Sequence, residues 1–276
     1  MNRTNAKVIT LNCRLQKTVA VTRWRSPLTT SRENIKRNNI MDDHSLDRVK
    51  QVFEQWSLYD LIIHHNYMRH TQLVTCLNEF VKQTEIRRKV IDLGCGDAWM
   101  AKHIFQDMVV ESYLGVDLSD TALQEAADQL TDWTSAQQFR QGDIAEVLAE
   151  TPANSANTAL ASYSLHHFHD DQKLILLDQI HRILEKDGQF LWIDLARIAP
   201  QTRDQYVDEM ANHIRHDWQA LRESQNEQAV QHVLESDFPA TEAWMLEHTP
   251  QVGLQLDRCL FRDEYFGAWV FAKHDD

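Results

Sequence analysis

Residues 88–103 read RKVIDLGCGDAWMAKH, and this stretch decides the fold. The apolar run at 90–93 is rich in β-branched residues, which predicts a buried parallel strand. Gly94 and Gly96 end the run, and apolar residues resume at a nearly helical spacing from Ala98. A strand that turns through glycines into a helix directs backbone N–H groups and a helix N-terminus towards one point, where a ligand can approach. Taken alone, the stretch fits a ligand-binding turn or a purely structural one.

Two kinds of nucleotide cofactor are bound by such a turn. The dinucleotide pattern G-x-G-x-x-G would need glycine at position 99, where this chain has Trp99. The pattern D-x-G-x-G-x-G fits Asp92, Gly94 and Gly96, with Ala98 at the third small position. The stretch therefore resembles motif I of the class I S-adenosylmethionine (SAM)-dependent methyltransferases.

Two acids follow the next two predicted strands. Residues 112–117 form a strand pattern ending in Asp117, where a carboxylate can accept hydrogen bonds from both hydroxyls of a ribose. Residues 137–141 predict the third strand, and the step G-D-I at 142–144 follows it. This step resembles the family motif that presents an acid, here Asp143, to the adenine amino group.

Together these motifs imply a SAM site at the carboxyl edge of the sheet. The resemblance covers roughly residues 89–273. It implies that the glycines approach the methionine part of the cofactor, that Asp117 holds the ribose and that Asp143 holds the adenine. The residues expected to contact the cofactor are Asp92, Gly94, Gly96, Asp117, Leu118, Asp143, Ile144 and Tyr163.

The methyl acceptor is expected at the end of the fourth strand. Residues 158–163 predict that strand, and S-L-H-H-F at 164–168 ends it. Ligands of open α/β sheets bind beyond the carboxyl ends of the strands, so His166 and His167 fall beside the reacting groups. Either imidazole can take a proton near neutral pH; the alternative is a histidine that caps the next helix and packs on the sheet. Tyr59, in the N-terminal helical segment, is the third candidate catalytic residue.

The rest of the chain predicts an α/β fold with a Rossmann-like, seven-stranded, mostly parallel sheet and a C-terminal antiparallel hairpin. A long amphipathic helix starts at Asp170 and is expected to stop at K-D-G, residues 186–188, with glycine at the C-terminal position. Residues 189–195 predict the fifth strand. The β-rich runs at 253–261 and 265–272 predict the hairpin.

The composition divides the chain into three regions. Residues 1–40 hold nine Lys and Arg and one acid, which favours a disordered or non-native basic extension over an organelle transit peptide. Residues 41–85 predict an N-terminal helical lid. Residues 86–276 form the predicted SAM-binding domain, with a helical cap insertion at about 196–250.

The charge and the cysteines argue against several kinds of partner. The net charge is −13, so removing the +8 of residues 1–40 leaves −21 for the remainder, which disfavours nucleic acid. No apolar run is long enough to predict a membrane span. Four scattered cysteines without a C-x-x-C pair indicate reduced thiols in the cytoplasm. His213 and His216 are a possible metal pair, but their pattern favours a solvated helix face, so no metal is expected.

The sequence thus predicts a SAM-dependent methyltransferase acting on a small-molecule acceptor by in-line displacement, with release of S-adenosylhomocysteine. The acidic body, the helical cap and S-L-H-H-F in place of a D/N-P-P-Y tetrapeptide favour a metabolite. Three alternatives stay open: a protein or peptide methyltransferase, a non-catalytic SAM-binding protein, and an NAD-dependent reductase, which Trp99 disfavours.

Overall fold

A computed structural model describes residues 56–83, 88–131, 133 and 136–274. The strands are β1 (Arg88–Leu93), β2 (Val110–Asp117), β3 (Gln137–Gln141), β4 (Ala156–Ser162), β5 (Leu184–Arg197), β6 (Ala240–Thr241), β7 (Leu254–Arg262) and β8 (Phe266–Lys273). The helices are α1 (Trp56–His64), α2 (His70–Val81), α3 (Trp99–Ile104), α4 (Asp120–Gln129), α5 (Ile144–Glu150), α6 (Asp170–Ile183), α7 (Arg203–Asp217), α8 (Glu223–Ser236) and α9 (Glu242–His248). Two 3₁₀ turns cover Leu165–His167 and Thr249–Val252.

The described strands form one mixed sheet in the order β3-β2-β1-β4-β5-β8-β7, and the short β6 pairs with β5 outside this path. The first five strands are parallel, whereas β8 inserts antiparallel between β5 and β7. The predicted fold class is confirmed, with β6 added to the expected strands. Because parallel strands end at the same edge, the loops after β1, β2, β3 and β4 meet there.

Apolar side chains cover both faces of the sheet. Leu191 and Ile193 of β5 belong to one buried cluster, and Phe190 and Trp192 belong to another. Successive side chains of a strand point to opposite faces, so the two clusters lie on the two sides of the sheet. A strand buried on both faces reads as a continuous apolar run, which explains the sequence pattern of β5.

The predicted cap is formed by α1 and α2 together with α7 and α8, which share one buried cluster. Tyr67, after α1, stacks on Trp218, after α7, with ring centroids 5.0 Å apart. The N–H of Ala220 donates to the Tyr67 hydroxyl at 2.8 Å. Arg69 pairs with Asp263, between β7 and β8, at 2.8 Å. These contacts hold the N-terminal helices against both the insertion and the hairpin.

The expected basic extension at 1–40 lies outside the described residues, as does the start of the predicted lid. Within the described ranges, no helix has the length and apolarity needed to cross a membrane. In the same ranges Cys76, Cys95 and Cys259 form no disulfide.

The helix after β4 ends earlier than the sequence predicts. α6 ends at Ile183, before the predicted K-D-G stop, and β5 begins at Leu184. Leu184 is fully buried and pairs with Ala156 of β4, so sheet pairing overrides the helical pattern. The left-handed residue that follows is Asp187, with φ 61°, rather than the expected Gly188. The predicted helix stop is therefore wrong.

Lys173 of α6 is a fully buried cation that joins the edge of the sheet to the cap. Its ammonium donates to the carbonyl oxygens of Phe168 at 2.5 Å and Phe238 at 2.6 Å, and to Asp170 at 3.2 Å. Burial lowers the pKa of Lys173, while Asp170 favours its charged form. One side chain thus ties the segment after β4 to the segment after α8.

We expect Lys173→Met to lower the free energy of unfolding by about 3–5 kcal/mol, because two carbonyl oxygens lose their ammonium donor inside the protein. Lys186→Met, which changes an exposed lysine, is the matched control and should stay within about 0.5 kcal/mol of the wild type. Urea unfolding measures both. Equal stability of the two variants would show that Lys173 does not hold these segments together.

Candidate active site

The glycine turn after β1 is held against β2 by hydrogen bonds. The N–H groups of Gly94 and Cys95 both donate to the carbonyl oxygen of Val116, at 2.8 and 2.9 Å. The N–H of Gly96 donates to Asp117 Oδ2 at 2.9 Å. Gly94 and Gly96 have φ angles of 74° and 53°, in the left-handed region that favours glycine. The end of β2 therefore sets the shape of the turn.

The two glycines leave room for different neighbours. A Cβ on Gly94 would lie 2.5 Å from Ser164 Cβ, so this glycine lets the turn touch the loop after β4. A Cβ on Gly96 would meet nothing within 4 Å. Both glycines line a pocket between the carboxyl ends of β1–β4 and the helices α1, α7 and α8, and the bare backbone of Gly96 faces its open space.

Asp117 ends β2 with a carboxylate that the backbone orients. Its Oδ1 accepts a hydrogen bond from the N–H of Ser119 at 2.9 Å, while Oδ2 accepts from Gly96. Burial raises the pKa of Asp117, and the two backbone hydrogen bonds oppose that rise. A carboxylate has about four acceptor positions, so each oxygen keeps a lone pair for a ligand. Asp117 and Leu118 line the pocket, where such a carboxylate suits the hydroxyls of a ribose.

Asp143 and Ile144 lie in the pocket wall after β3. Asp143 is the N-cap of α5 and accepts a hydrogen bond from the N–H of Ala145 at 2.7 Å. Burial raises the pKa of Asp143. The cap fixes the carboxylate at the pocket wall, and Ile144 beside it supplies apolar surface for a ring. The predicted adenine contact stays a prediction that this geometry permits.

Asp92 is not among the residues that line the pocket, although the sequence predicts a cofactor contact. Its side chain is 1% exposed and accepts a hydrogen bond from the Tyr113 hydroxyl at 2.9 Å. Burial raises the pKa of Asp92 to about 7.

The pocket wall instead contains Asp97, which the sequence does not single out. Its carboxylate accepts hydrogen bonds from the Trp99 N–H at 3.0 Å and from the Gln129 side chain at 2.7 Å. In sequence, Asp97 looks like an ordinary helix-capping acid.

Tyr163 follows β4 in an unusual backbone conformation. Its φ of 53° is uncommon outside glycine, and such residues concentrate at functional sites. Its N–H donates to the carbonyl of Ile193 at 2.9 Å, and its hydroxyl donates to the carbonyl of Met68. The next residue, Ser164, donates to the carbonyl of Leu93 at 2.7 Å. Tyr163 thus joins the sheet edge to the N-terminal helices while lining the pocket.

Tyr59 of α1 also lines the pocket. Burial raises the pKa of its hydroxyl, and the carboxylates of Asp97, Asp117 and Asp92 raise it further. A buried tyrosine hydroxyl near these carboxylates stays protonated at neutral pH. Tyr59 is therefore suited to donate a hydrogen bond rather than to accept a proton. Its predicted catalytic role stays a prediction.

His166 is oriented by a buried carboxylate. Its Nδ1 lies 2.5 Å from Oδ1 of Asp194, a residue of β5 that is 1% exposed. Asp194 also accepts hydrogen bonds from Trp192 Nε1 at 3.0 Å and from the N–H of Leu195 at 2.9 Å. Burial lowers the pKa of His166, but Asp194 and Asp237 outweigh that effect and the pKa is raised overall. The ring orientation is therefore fixed from the sheet side.

Two histidines and an acid meet on the other side of His166. Asp237 Oδ1 lies 3.5 Å from His166 Nε2, 3.5 Å from His167 Nδ1 and 3.7 Å from His232 Nε2. We call these four residues the histidine cluster, and all of them line the pocket. The sequence predicts His166 and His167 but not Asp194, His232 and Asp237, because these three residues lie on distant elements without a local motif.

His213 and His216, the metal pair considered in the sequence, contact different partners. His213 Nδ1 lies 2.7 Å from Asp217 Oδ2, and its ring stacks on Tyr265 with centroids 4.9 Å apart. His216 Nδ1 lies 2.7 Å from the carbonyl oxygen of Asn212. Among the residues that the structure describes, the side chains with metal-ligand spacing are those of the histidine cluster.

The pocket has two chemically distinct ends. The glycine turn and the loops after β2 and β3 supply acids and bare backbone, which suits a nucleoside. The cap supplies apolar side chains, among them Met210, Ile214 and Trp218. The histidine cluster also lines this pocket, so an otherwise apolar molecule bound against the cap would meet polar side chains there.

Comparisons with known proteins agree with this geometry. Residues 90–188 match the family described as a methyltransferase domain. The chain is 28% identical to the uncharacterized methyltransferase YcgJ of Bacillus subtilis, over 59% of this chain and 66% of that protein. It is 29% identical to malonyl-[acyl-carrier protein] O-methyltransferase of Halalkalibacterium halodurans, over 35% of each chain. The match spans less than two thirds of the length of either relative.

A solved structure extends the likeness in fold. The crystal structure of magnesium protoporphyrin IX methyltransferase (ChlM) from Synechocystis PCC 6803 contains bound S-adenosylhomocysteine. It aligns with a TM-score of 0.53 at 13% identity and covers 88% of this chain and 100% of its own. At this identity the likeness concerns the fold alone.

Alanine at Gly94 should mainly lower stability, whereas alanine at Gly96 should mainly weaken ligand binding. We expect Gly94→Ala to lower the free energy of unfolding by about 2–5 kcal/mol, since left-handed strain adds to a clash with Ser164. Gly96→Ala should cost only about 1–2 kcal/mol but weaken SAM binding roughly tenfold or more, because the methyl group enters the ligand space. Urea unfolding and calorimetric titration with SAM measure the two effects. Unchanged SAM affinity of folded Gly96→Ala would place the ligand elsewhere.

His70, the first residue of α2, is a fully buried imidazole among aromatic rings. Its ring centroid lies 5.3 Å from that of Tyr163, 5.8 Å from Trp99 and 6.0 Å from Tyr59. Within the described residues, neither ring nitrogen has a hydrogen-bond partner. Burial lowers the pKa of His70 from 6.5 to about 4. The folded state therefore holds the ring neutral.

This shift predicts a loss of stability in acid. Between pH 6.5 and about pH 4 the unfolded chain binds a proton at His70 that the folded chain does not. Stability should therefore fall with pH across that window, by about 3 kcal/mol from this group. We expect His70→Leu to remove that part of the fall in urea unfolding from pH 7 to pH 4, with exposed His64→Leu as the control. An identical fall in wild type and His70→Leu would contradict the assignment.

Proposed function

We propose that the chain is a class I SAM-dependent methyltransferase that methylates a small-molecule acceptor, and the match of residues 90–188 to the methyltransferase domain family supports this proposal. The observation that carries the proposal is that one pocket is lined both by the sheet edge with the glycine turn and by the helical cap. Buried cap residues such as Leu58, Met210 and Ile214 line it beside Gly96 and Asp117. This enclosure by the cap supports a small acceptor.

We assign the cofactor to the acid-rich end of the pocket. Gly96 leaves room for the methionine part, Asp117 offers acceptors to the ribose, and Asp143 with Ile144 would contact the adenine. When bound, SAM supplies an activated methyl group on its sulfonium, which an acceptor atom displaces in line to leave S-adenosylhomocysteine. The donor is already activated, so the protein's work is to align the acceptor and exclude water.

The cap and the histidine cluster define the acceptor. The apolar cap wall favours a molecule with a hydrophobic or aromatic part, which Trp218 can contact. The polar groups of His166, His167 and Asp237 favour an acceptor that carries an oxygen or nitrogen nucleophile. This combination supports a metabolite that is methylated on a heteroatom.

A protein or peptide acceptor is the second candidate, and the cap disfavours it because a macromolecule needs an open groove. One relative is named as an O-methyltransferase of malonyl-[acyl-carrier protein], so a small group carried on a protein remains worth testing. The carboxylates around the glycine turn disfavour a nicotinamide dinucleotide, whose pyrophosphate is anionic.

Asp117→Ala tests the cofactor assignment. We expect SAM affinity to fall at least roughly tenfold, because the ribose loses a charged hydrogen-bond acceptor worth about 1.5–3 kcal/mol. Asp128→Ala, an exposed acid of α4, is the control and should bind SAM like the wild type. Calorimetric titration with SAM, S-adenosylhomocysteine and NADH measures all three proteins. Equal SAM affinity in both variants would contradict the cofactor site.

An acceptor screen tests the reaction. S-adenosylhomocysteine release should depend on a fraction of a metabolite pool and should be absent with a peptide pool. Turnover with peptides or with acyl-carrier proteins, but not with metabolites, would overturn the small-molecule assignment. SAM binding without turnover in any pool would favour a non-catalytic binding protein.

A further inference from the structure

The histidine cluster has the spacing of ligands around one metal ion. Asp237 Oδ1 lies 3.5–3.7 Å from three imidazole nitrogens, a distance too long for good hydrogen bonds. Two ligands at ~2.0–2.1 Å from one ion, at a tetrahedral angle, are about 3.4 Å apart. One ligand atom from each of the four residues falls within 4.8 Å of the others. The four side chains therefore surround a common point.

Asp237 is the group that most needs an ion. Its side chain is 2% exposed, and within the described residues its Oδ1 has no hydrogen-bond partner. A buried carboxylate oxygen without a donor is costly unless a cation or a proton compensates it. An ion between Asp237 and the imidazoles removes that cost.

The surroundings of His166 match a second feature of metal sites. A metal-bound histidine usually donates its other ring N–H to a carboxylate, which fixes the tautomer and the ring orientation. His166 does this through Nδ1 to Asp194, leaving Nε2 towards Asp237. Asp194 is in turn held by the indole of Trp192 and the N–H of Leu195. The hydrogen bonds that would orient His166 as a ligand are thus present on the side of the sheet.

The other two histidines each present one ring nitrogen to Asp237. His232 Nε2 lies 3.7 Å from Asp237 Oδ1, and His167 Nδ1 lies 3.5 Å from it. His167 Nδ1 also lies 3.2 Å from the carbonyl oxygen of Ser236. Ligation through Nδ1 requires the His167 tautomer with its proton on Nε2.

We propose that His166, His167, His232 and Asp237 bind one divalent transition-metal ion of the Zn²⁺ class between the edge of β4 and the cap. Three imidazoles and one carboxylate suit Zn²⁺ and its neighbours better than Mg²⁺ or Ca²⁺, which prefer oxygen ligands. The proposal departs from the expectation of no metal drawn from the sequence. It does not depend on the proposed function, although the ion would border the acceptor pocket.

Metal binding changes the roles predicted for two residues. A ligated imidazole nitrogen has no lone pair left, so His166 and His167 would hold the ion rather than accept a proton. The ion also joins the segment after β4 to His232 and Asp237 of the cap insertion. The N–H of Phe238 donates to the carbonyl of His166 at 2.6 Å, so the backbone already brings these segments together.

Titration of untagged, chelator-treated full chain with Zn²⁺ tests the proposal, and Co²⁺ absorption reports the coordination geometry. We expect one ion per chain, a raised melting temperature and the ligand-field spectrum of a tetrahedral site. His232→Ala and Asp237→Asn should abolish these signals. Asp194→Asn should weaken Zn²⁺ binding ~10–100-fold, as expected for a residue that orients a ligand. His216→Ala, which changes an exposed histidine of the same insertion, should bind like the wild type.

Two results would overturn the proposal. If the metal-free chain takes up no stoichiometric Zn²⁺ or Co²⁺, the cluster is not a metal site. If His232→Ala and Asp237→Asn both keep wild-type affinity, the ion lies elsewhere. Circular dichroism and SAM titration of the same samples show whether each variant is folded. SAM binding without metal binding would remove the metal site alone and leave the proposed function intact.

Discussion

The attachment of the glycine turn to the end of β2 is the constraint on which the site depends. Val116 accepts two of the turn's N–H groups and Asp117 accepts a third, so the turn cannot shift without breaking all three hydrogen bonds. The fixed turn lets Gly94 touch Ser164, which in turn bonds to the carbonyl of Leu93. That contact sets the start of the loop that carries His166 and His167. The glycine turn therefore fixes the position of both ends of the pocket.

The charged residues around the turn favour a ligand with a positive charge. Burial raises the pKa values of Asp92, Asp97 and Asp117; Asp117 and Asp97 raise that of Asp92 further, and Asp97 raises that of Asp117, so carboxylates lie close together around the turn. A cationic ligand relieves the repulsion between them, whereas an anionic pyrophosphate increases it. SAM carries a sulfonium, and nicotinamide dinucleotides carry a pyrophosphate. The charge around the turn thus separates the two cofactor classes independently of Trp99.

Much of the fold and the cofactor end could be predicted from sequence because each feature there is local. The glycine turn, Asp117 and the capping Asp143 each follow a strand within a few residues, so a short pattern contains both the element and its ligand group. The stop of α6 could not be predicted, since pairing of Leu184 with Ala156 overrides the local helical pattern. Asp194 and Asp237 could not be predicted because the residues that they contact, above all His166, lie far from them in the sequence.

The least predictable part of the molecule is therefore the end of the pocket that contains the histidine cluster. His166 comes from the edge of the sheet, while His232 and Asp237 come from the insertion, and no sequence spacing links them. Lys173 and the N–H of Phe238 bind the two segments through backbone carbonyls, which constrains where the chain runs but not which side chains it carries. A scaffold anchored in this way can keep its cofactor end unchanged while the insertion changes its side chains. In the proposed methyltransferase, specificity for the acceptor should thus depend on the side chains of α7 and α8 more than on those of the sheet edge.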